Sequence, residues 1–127
     1  MPEQTTILIT FELAPEYVNQ IWAVDPRVEV LYHPELVGRP RFACDHLGPI
    51  HRTPEQEAEW LALLARCEIL FGLDQSHLND LLQLAPRLRW IQSSSAGVGQ
   101  RAKSMGLTGT DIILTTASGI HATALAE

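Results

Sequence analysis

The chain has 127 residues, 46% of them hydrophobic and 19% charged, with a formal net charge of −6 at pH 7. That length holds one domain with its own core but not two ordinary ones, and the composition is globular and not that of a disordered chain. The negative charge argues against nucleic acid or an acidic membrane surface as principal partner, and no apolar run approaches the roughly 20 residues that cross a bilayer. Met1-Pro2-Glu3-Gln4 leads straight toward an apolar strand and has no signal-peptide character. Cys44 and Cys67, the two cysteines, lack CxxC spacing and fit a reduced, cytoplasmic protein better than a disulfide scaffold. Cys67 ends a helical pattern and reads as a small buried side chain.

Strand and helix patterns alternate along the chain. Thr5–Thr10, TTILIT, is β-branched and apolar and reads as a buried strand. Ala14-Pro15-Glu16 opens a helix with proline in its first turn, and Ala14, Val18, Ile21 and Trp22 recur on one face. Val28–His33 is a second, shorter strand. Glu35–Arg52 carries proline, glycine and histidine with no steady period, so it reads as a long surface loop, an arrangement that suggests a functional edge or a lid. Thr53-Pro54-Glu55-Gln56 is a helix start, with Thr53 as cap, proline at the first position and Gln56 completing a capping box. Ala58, Leu61, Ala62 and Ala65 read as the buried stripe of that helix.

Glu68–Gly72 is the third strand, and Leu78, Leu81, Leu82 and Ala85 mark a helix that Pro86 closes. Leu88–Ser93 is the fourth strand, a short weak helix covers Gln100–Met105, and Asp111–Ala117 is the fifth strand. Ser118 can cap a last helix beginning at Gly119. Nearly continuous apolar strands alternating with helices mean a parallel sheet covered on both faces. Five strands in this length predict an α/β, flavodoxin-like doubly wound sheet of order 2-1-3-4-5. Ligands sit beyond the carboxyl ends of such strands. That places interest in the loops Phe11–Ala14, Gly72–Ser76, Ser94–Gln100 and Ser118–His121.

Gly97-Val98-Gly99-Gln100-Arg101-Ala102 formally matches the dinucleotide pattern GxGxxA. It follows the fourth strand and not the first, precedes a poor helix, and has no acidic residue ending a later strand at the right distance. A better reading is that the backbone amides from Ser95 to Gly99 form a concave nest for a small anion such as a carboxylate, with Gly97 and Gly99 allowing close approach. A plain turn of small residues fits the same stretch. Asp74 or Ser76, in the turn after the third strand, can cap the following helix. None of His33, His46, His51, His77 and His121 has a partner at a spacing such as HxxxH, so no metal site is expected. His121 stands beside the proposed nest, on the first turn of the last helix. Ala117-Ser118 occupies the position where a phosphoacceptor receiver domain needs lysine, and Phe11-Glu12-Leu13-Ala14 is not a flavin phosphate loop; both functions are set aside.

LRWIQSSSAGVGQ together with DIILTTASGIHATALAE, and PEQEAEWLALLARCEILFGL before them, resembles the N-terminal half of the D-isomer-specific 2-hydroxyacid dehydrogenases. The resemblance runs from about Thr53 onward. It implies that residues 1–118 are a flavodoxin-like substrate-binding domain. Residues 119–127 would begin an interdomain helix leading to an NAD-binding domain of the same polypeptide, which would account for the absence of a C-cap glycine before Glu127. It implies NAD or NADP as cofactor of the whole protein, a small 2-hydroxy or 2-oxo acid as substrate, and a homodimer. The catalytic arginine, carboxylate and histidine of that family, and its cofactor motif, have no counterpart in this chain. What carries over is substrate contact by the amides near Ser95, Ala96, Gly97 and Val98, by the Gly72-Leu73 turn, and by His121, where several members have asparagine. Many members also carry aspartate soon after the Gly-Val pair, where this chain has Gly99-Gln100. The competing expectation is a non-enzymatic flavodoxin-like module that binds a small anion or a protein.

Overall fold

The computed structural model describes residues 4–37, 50–74, 76–93, 103, 106–107 and 109–116. Its elements are β1 (Thr5–Ile9), α1 (Pro15–Trp22), β2 (Val28–Leu31), a 3-10 turn (Pro34–Leu36), α2 (Pro54–Arg66), β3 (Ile69–Phe71), α3 (Leu81–Leu84), β4 (Trp90–Gln92) and β5 (Ile113–Thr115). The strands form one parallel sheet of order β2-β1-β3-β4-β5, so the expected doubly wound topology is present. Each strand is shorter than expected: β1 and β2 begin at the expected residue and stop early, whereas β3, β4 and β5 are shorter at both ends.

Successive side chains of a strand point to opposite faces, and the core divides accordingly. Leu8 and Leu31 join Leu70 and Ile91 beneath α2 and α3, whereas Ile9 and Val30 pack with Val18 of α1 on the other face. Helices therefore cover both faces. On the α1 side the cover is partial: Ile69, Trp90 and Ile113 lie in register across β3, β4 and β5. No described element shields Ile113, which is 61% exposed. These residues border an open apolar depression of about 420 Å³. On α1 itself Val18 is buried and Ile21 half-buried, while Ala14 and Trp22 are exposed, so the helix meets the sheet through a narrower stripe than the sequence spacing suggested.

α2 begins as expected. Thr53 Oγ1 accepts from the Gln56 amide at 3.1 Å, and Gln56 Oε1 accepts from the Thr53 amide at 2.9 Å. Its buried stripe is not the expected one, however. Ala58, Ala62 and Ala65 are exposed and Leu61 is half-buried; Trp60, Leu63, Leu64 and Cys67 form the inner face. Both sets have i, i+3, i+4, i+7 spacing and lie two residues, or about 200°, apart around the helix. The set with the larger apolar area goes inward, since the gain scales with area removed from water. Cys67 is fully buried, its thiol donates to the Leu64 carbonyl, and burial pushes its pKa up to about 12, leaving it an unreactive core residue.

The expected loop from Glu35 onward is anchored at its start. Leu36, in the 3-10 turn, and Val37 are both buried in the α2-side core, and residues 38–49 lie outside the described residues. α3 is only four residues long, yet Leu78, Leu81, Leu82 and Ala85 do face the core. Of the weak helix expected over Gln100–Met105 only Lys103 is described, and it is helical. No helix among the described residues is long and apolar enough to cross a membrane.

Gly72, just after β3, has φ +93°, and a Cβ there would fall 2.4 Å from Thr10 Oγ1 and 2.8 Å from Phe11 Cδ1. The turn at the carboxyl end of β3 thus requires glycine on two counts, backbone region and space. Gly72→Ala should destabilise the fold by about 1–3 kcal/mol, read as a lowered midpoint in chemical denaturation; an unchanged midpoint would mean that the turn is not built this way.

Candidate functional site

In a doubly wound sheet the chain reverses direction between β1 and β3, and the crevice opens at their carboxyl ends. The exits of β1 and β3 meet there. Thr10 Oγ1 donates to the Phe71 carbonyl at 3.1 Å, and the Phe11 and Phe71 rings stand edge to face at 5.0 Å. The Gly72 amide donates to the Gln92 carbonyl at 2.8 Å, which sets the β3 exit beside the β4 exit.

The turn that follows carries a buried acid. Asp74 is 2% exposed and its carboxyl group accepts from three donors: Trp60 Nε1 at 2.9 Å, the Ser76 amide at 3.0 Å and Ser76 Oγ at 2.5 Å. The sequence suggested a helix cap for Asp74 or Ser76. Instead Asp74 closes a turn onto Ser76 and reaches back to α2, while Asp80 precedes α3 without a side-chain cap bond. A buried carboxyl group without partners would cost several kcal/mol; here each oxygen is satisfied.

Arg52 completes the arrangement from the other side. Its side chain is only 4% exposed, with the guanidinium 4.4 Å from the centroid of the Trp60 ring. Nε donates to the Leu36 carbonyl at 2.7 Å, and Nη1 donates to Glu57 Oε2 and Ser76 Oγ at 3.2 and 3.1 Å. One side chain therefore ties together the turn after β2, the start of α2 and the loop after β3. His77 lies alongside, with Nε2 2.6 Å from Glu57 Oε1 and Nδ1 3.2 Å from Asp80 Oδ1. Thr53, Pro54, Glu57, Ser76 and His77 border an open depression of about 410 Å³ beside Arg52.

The expected substrate contacts fall unevenly. Gly72 stands at the β1–β3 junction as described, and the Leu73 side chain is buried in the core, leaving only its backbone available to a ligand. Ser95, Ala96, Gly97, Val98 and His121 lie outside the described residues. Arg52, Trp60 and Glu57 were missed, and His77 was passed over. The signal that could have pointed to them is a tryptophan and an arginine flanking a capping box, a few residues before a strand that ends in Gly-Leu-Asp.

A metal has one geometrical opening among the described residues, since the ligand atoms of His33, Glu35 and Glu59 lie within 4.8 Å of one another. Both carboxylates are well exposed or at the rim, where water solvates like charges at little cost. After β1 the chain runs Phe11-Glu12-Leu13-Ala14, with Glu12 and Ala14 exposed and Phe11 and Leu13 half-buried. No protein-family model, curated protein or solved structure matches the chain.

Removing the acid tests the loop anchor. Asp74→Ala strands the Trp60 indole N–H in the core and should cost about 1–3 kcal/mol of stability. Asp74→Asn, which keeps an acceptor, should recover part of that loss. Equal denaturation midpoints for Asp74→Ala and the parent chain would contradict the assignment.

Proposed function

We propose that this chain is the substrate-binding domain of an NAD(P)-dependent oxidoreductase that interconverts D-2-hydroxy acids and 2-oxo acids. The observation that carries the reading is the side-by-side exit of β3 and β4, with Phe71 in register with Gln92 and the Gly72 amide bonded to the Gln92 carbonyl. The chain leaving β4 passes into Ser95-Ala96-Gly97-Val98, whose main-chain amides would receive the carboxylate of the acid. The Gly72-Leu73 turn would form the adjoining wall, with His121 nearby. This chain's part is to bind and orient the acid, which lowers the barrier by fixing the reacting carbon in place. The dinucleotide would bind a separate domain of the same polypeptide, a reading supported by Phe11-Glu12-Leu13-Ala14 after β1, which is not a glycine-rich phosphate loop. The net charge and the cysteine pattern support a cytoplasmic protein, and the apolar surface at Trp90 and Ile113, exposed among the described residues, supports a homodimer.

A non-enzymatic module binding a small anion or a protein is the second reading. It is favoured by one observation: Arg52, Glu57, Ser76 and His77 are already engaged with one another, so the described depression holds no uncommitted group for chemistry. A single assay separates the two. The full-length product of the gene should oxidise NADH or NADPH with at least one of a panel of 2-oxo acids such as glyoxylate and pyruvate, while the 127-residue chain alone should not. Turnover by the chain alone would contradict the reading, and failure of the full-length product across the panel would favour the second.

A further inference from the structure

We infer that His77 is a proton-operated clasp: as imidazolium it holds the loop between β3 and α3 against the first turns of α2, and loss of the proton releases the Asp80 end of that loop. The inference is independent of the proposed oxidoreductase, because it concerns the protein's own side chains.

The argument is one of donor counting. A neutral imidazole has one N–H and one lone pair, whereas the imidazolium has two N–H groups. Both nitrogens of His77 face carboxyl oxygens, Nε2 toward Glu57 Oε1 at 2.6 Å and Nδ1 toward Asp80 Oδ1 at 3.2 Å. Carboxylates only accept, so both contacts are hydrogen bonds only while both nitrogens carry protons. The ring itself is 16% exposed and so has little contact with water.

The charged groups around the ring come from both sides of the loop. Glu57 and Arg52 approach from the α2 side, and Asp74 and Asp80 from the loop. Burial works against the charged ring, but the bond to Glu57, the Asp74 charge and the bond and charge of Asp80 outweigh it, raising the His77 pKa above its ordinary 6.5. Burial likewise opposes the Glu57 charge, and is outweighed by hydrogen bonds from His77 and Arg52, so its pKa falls below 4.5. The signs then define a window. A raised histidine pKa contributes stability that is complete below the unfolded value and is lost as pH rises through the folded one. A lowered glutamate pKa contributes stability present above its unfolded value and lost as pH falls through the folded one. The contribution is complete between the unfolded values, 4.5 for Glu57 and 6.5 for His77, and is lost as pH falls through the folded midpoint of Glu57 or rises through that of His77.

The two contacts do not fail together. On deprotonation the remaining proton stays on Nε2, toward the nearer carboxyl, and Nδ1 is left with a lone pair facing Asp80. Asp80 is also the residue whose carbonyl accepts from the Gln83 and Leu84 amides at the start of α3, and α3 has no side-chain cap to hold it otherwise. Since Ser76 and His77 border the depression at the carboxyl end of the sheet, the proton controls how closely that border is held.

NMR titration of the His77 ring in the intact chain, with hydrogen exchange at Gln83 and Leu84 across the same pH range, tests the clasp. The ring should titrate above 6.5, with both nitrogens protonated on the acid side and Nε2 alone on the alkaline side. Corrected for intrinsic exchange, the opening constant of those amides should rise tenfold for each unit by which the measured midpoint exceeds that of Asp80→Asn, in which Glu57 still holds the ring. Asp80→Asn, at a site 56% exposed and so compatible with folding, should lower the midpoint and abolish the pH dependence of exchange. A midpoint at or below 6.5, equal opening on both sides of the midpoint, or an unchanged pH dependence in Asp80→Asn would each overturn the inference.

Discussion

The hydrogen bond from the Trp60 indole to Asp74 is the contact on which the carboxyl end of the sheet depends. Trp60 is fully buried and fills the centre of the α2-side core, so its N–H must be satisfied where water does not reach. Among the described residues its partner is a carboxyl group from the loop after β3, which is drawn inward to meet it. That inward turn brings Ser76 within reach of Asp74 and of Arg52, and puts His77 against Glu57. Arg52 then lies over the indole face, where a cation is favoured by the ring quadrupole and by the Glu57 carboxylate beside it. Core packing and site geometry are thus one arrangement, running from the sheet through a tryptophan to the rim.

Much of the fold was legible in the sequence because it rests on local signals. Strand runs such as TTILIT and EILFG, spaced by helix starts, lead to the parallel sheet and its order. The Thr53–Gln56 capping box is a contact between residues three apart, and it formed as read. Where two periodic stripes compete on one helix, spacing alone cannot choose between them. On α2 the alanine stripe and the Trp60 stripe have the same period, and burial area decides. The turn at Pro34–Leu36 was hidden because a 3-10 turn is too short to show a period, although the apolar pair Leu36-Val37 that anchors it is plain in hindsight.

The site was less legible, for a physical reason. Its bonds join Arg52 to Ser76, Glu57 to His77 and Trp60 to Asp74, positions 24, 20 and 14 residues apart, and no motif of fixed spacing encodes such contacts. Gly72 was named through the family resemblance alone; its positive φ and its crowding by Thr10 and Phe11, distant in sequence, appear only in the fold. Asp74 was visible as a polar residue after a strand, but its partner on the preceding helix was not. The amide stretch Ser95–Val98 and His121 lie outside the described residues, so the substrate contacts drawn from the family resemblance stand as a proposal.

A double-mutant cycle on Trp60→Phe and Asp74→Ala, measured by reversible chemical denaturation, tests the anchoring bond most directly. If the indole and the carboxyl group hold the loop as described, the two losses are coupled by about 1 kcal/mol or more, because once one partner is gone the other has little left to lose. Losses that add to within about 0.3–0.5 kcal/mol would contradict it, since the two side chains would then be acting independently.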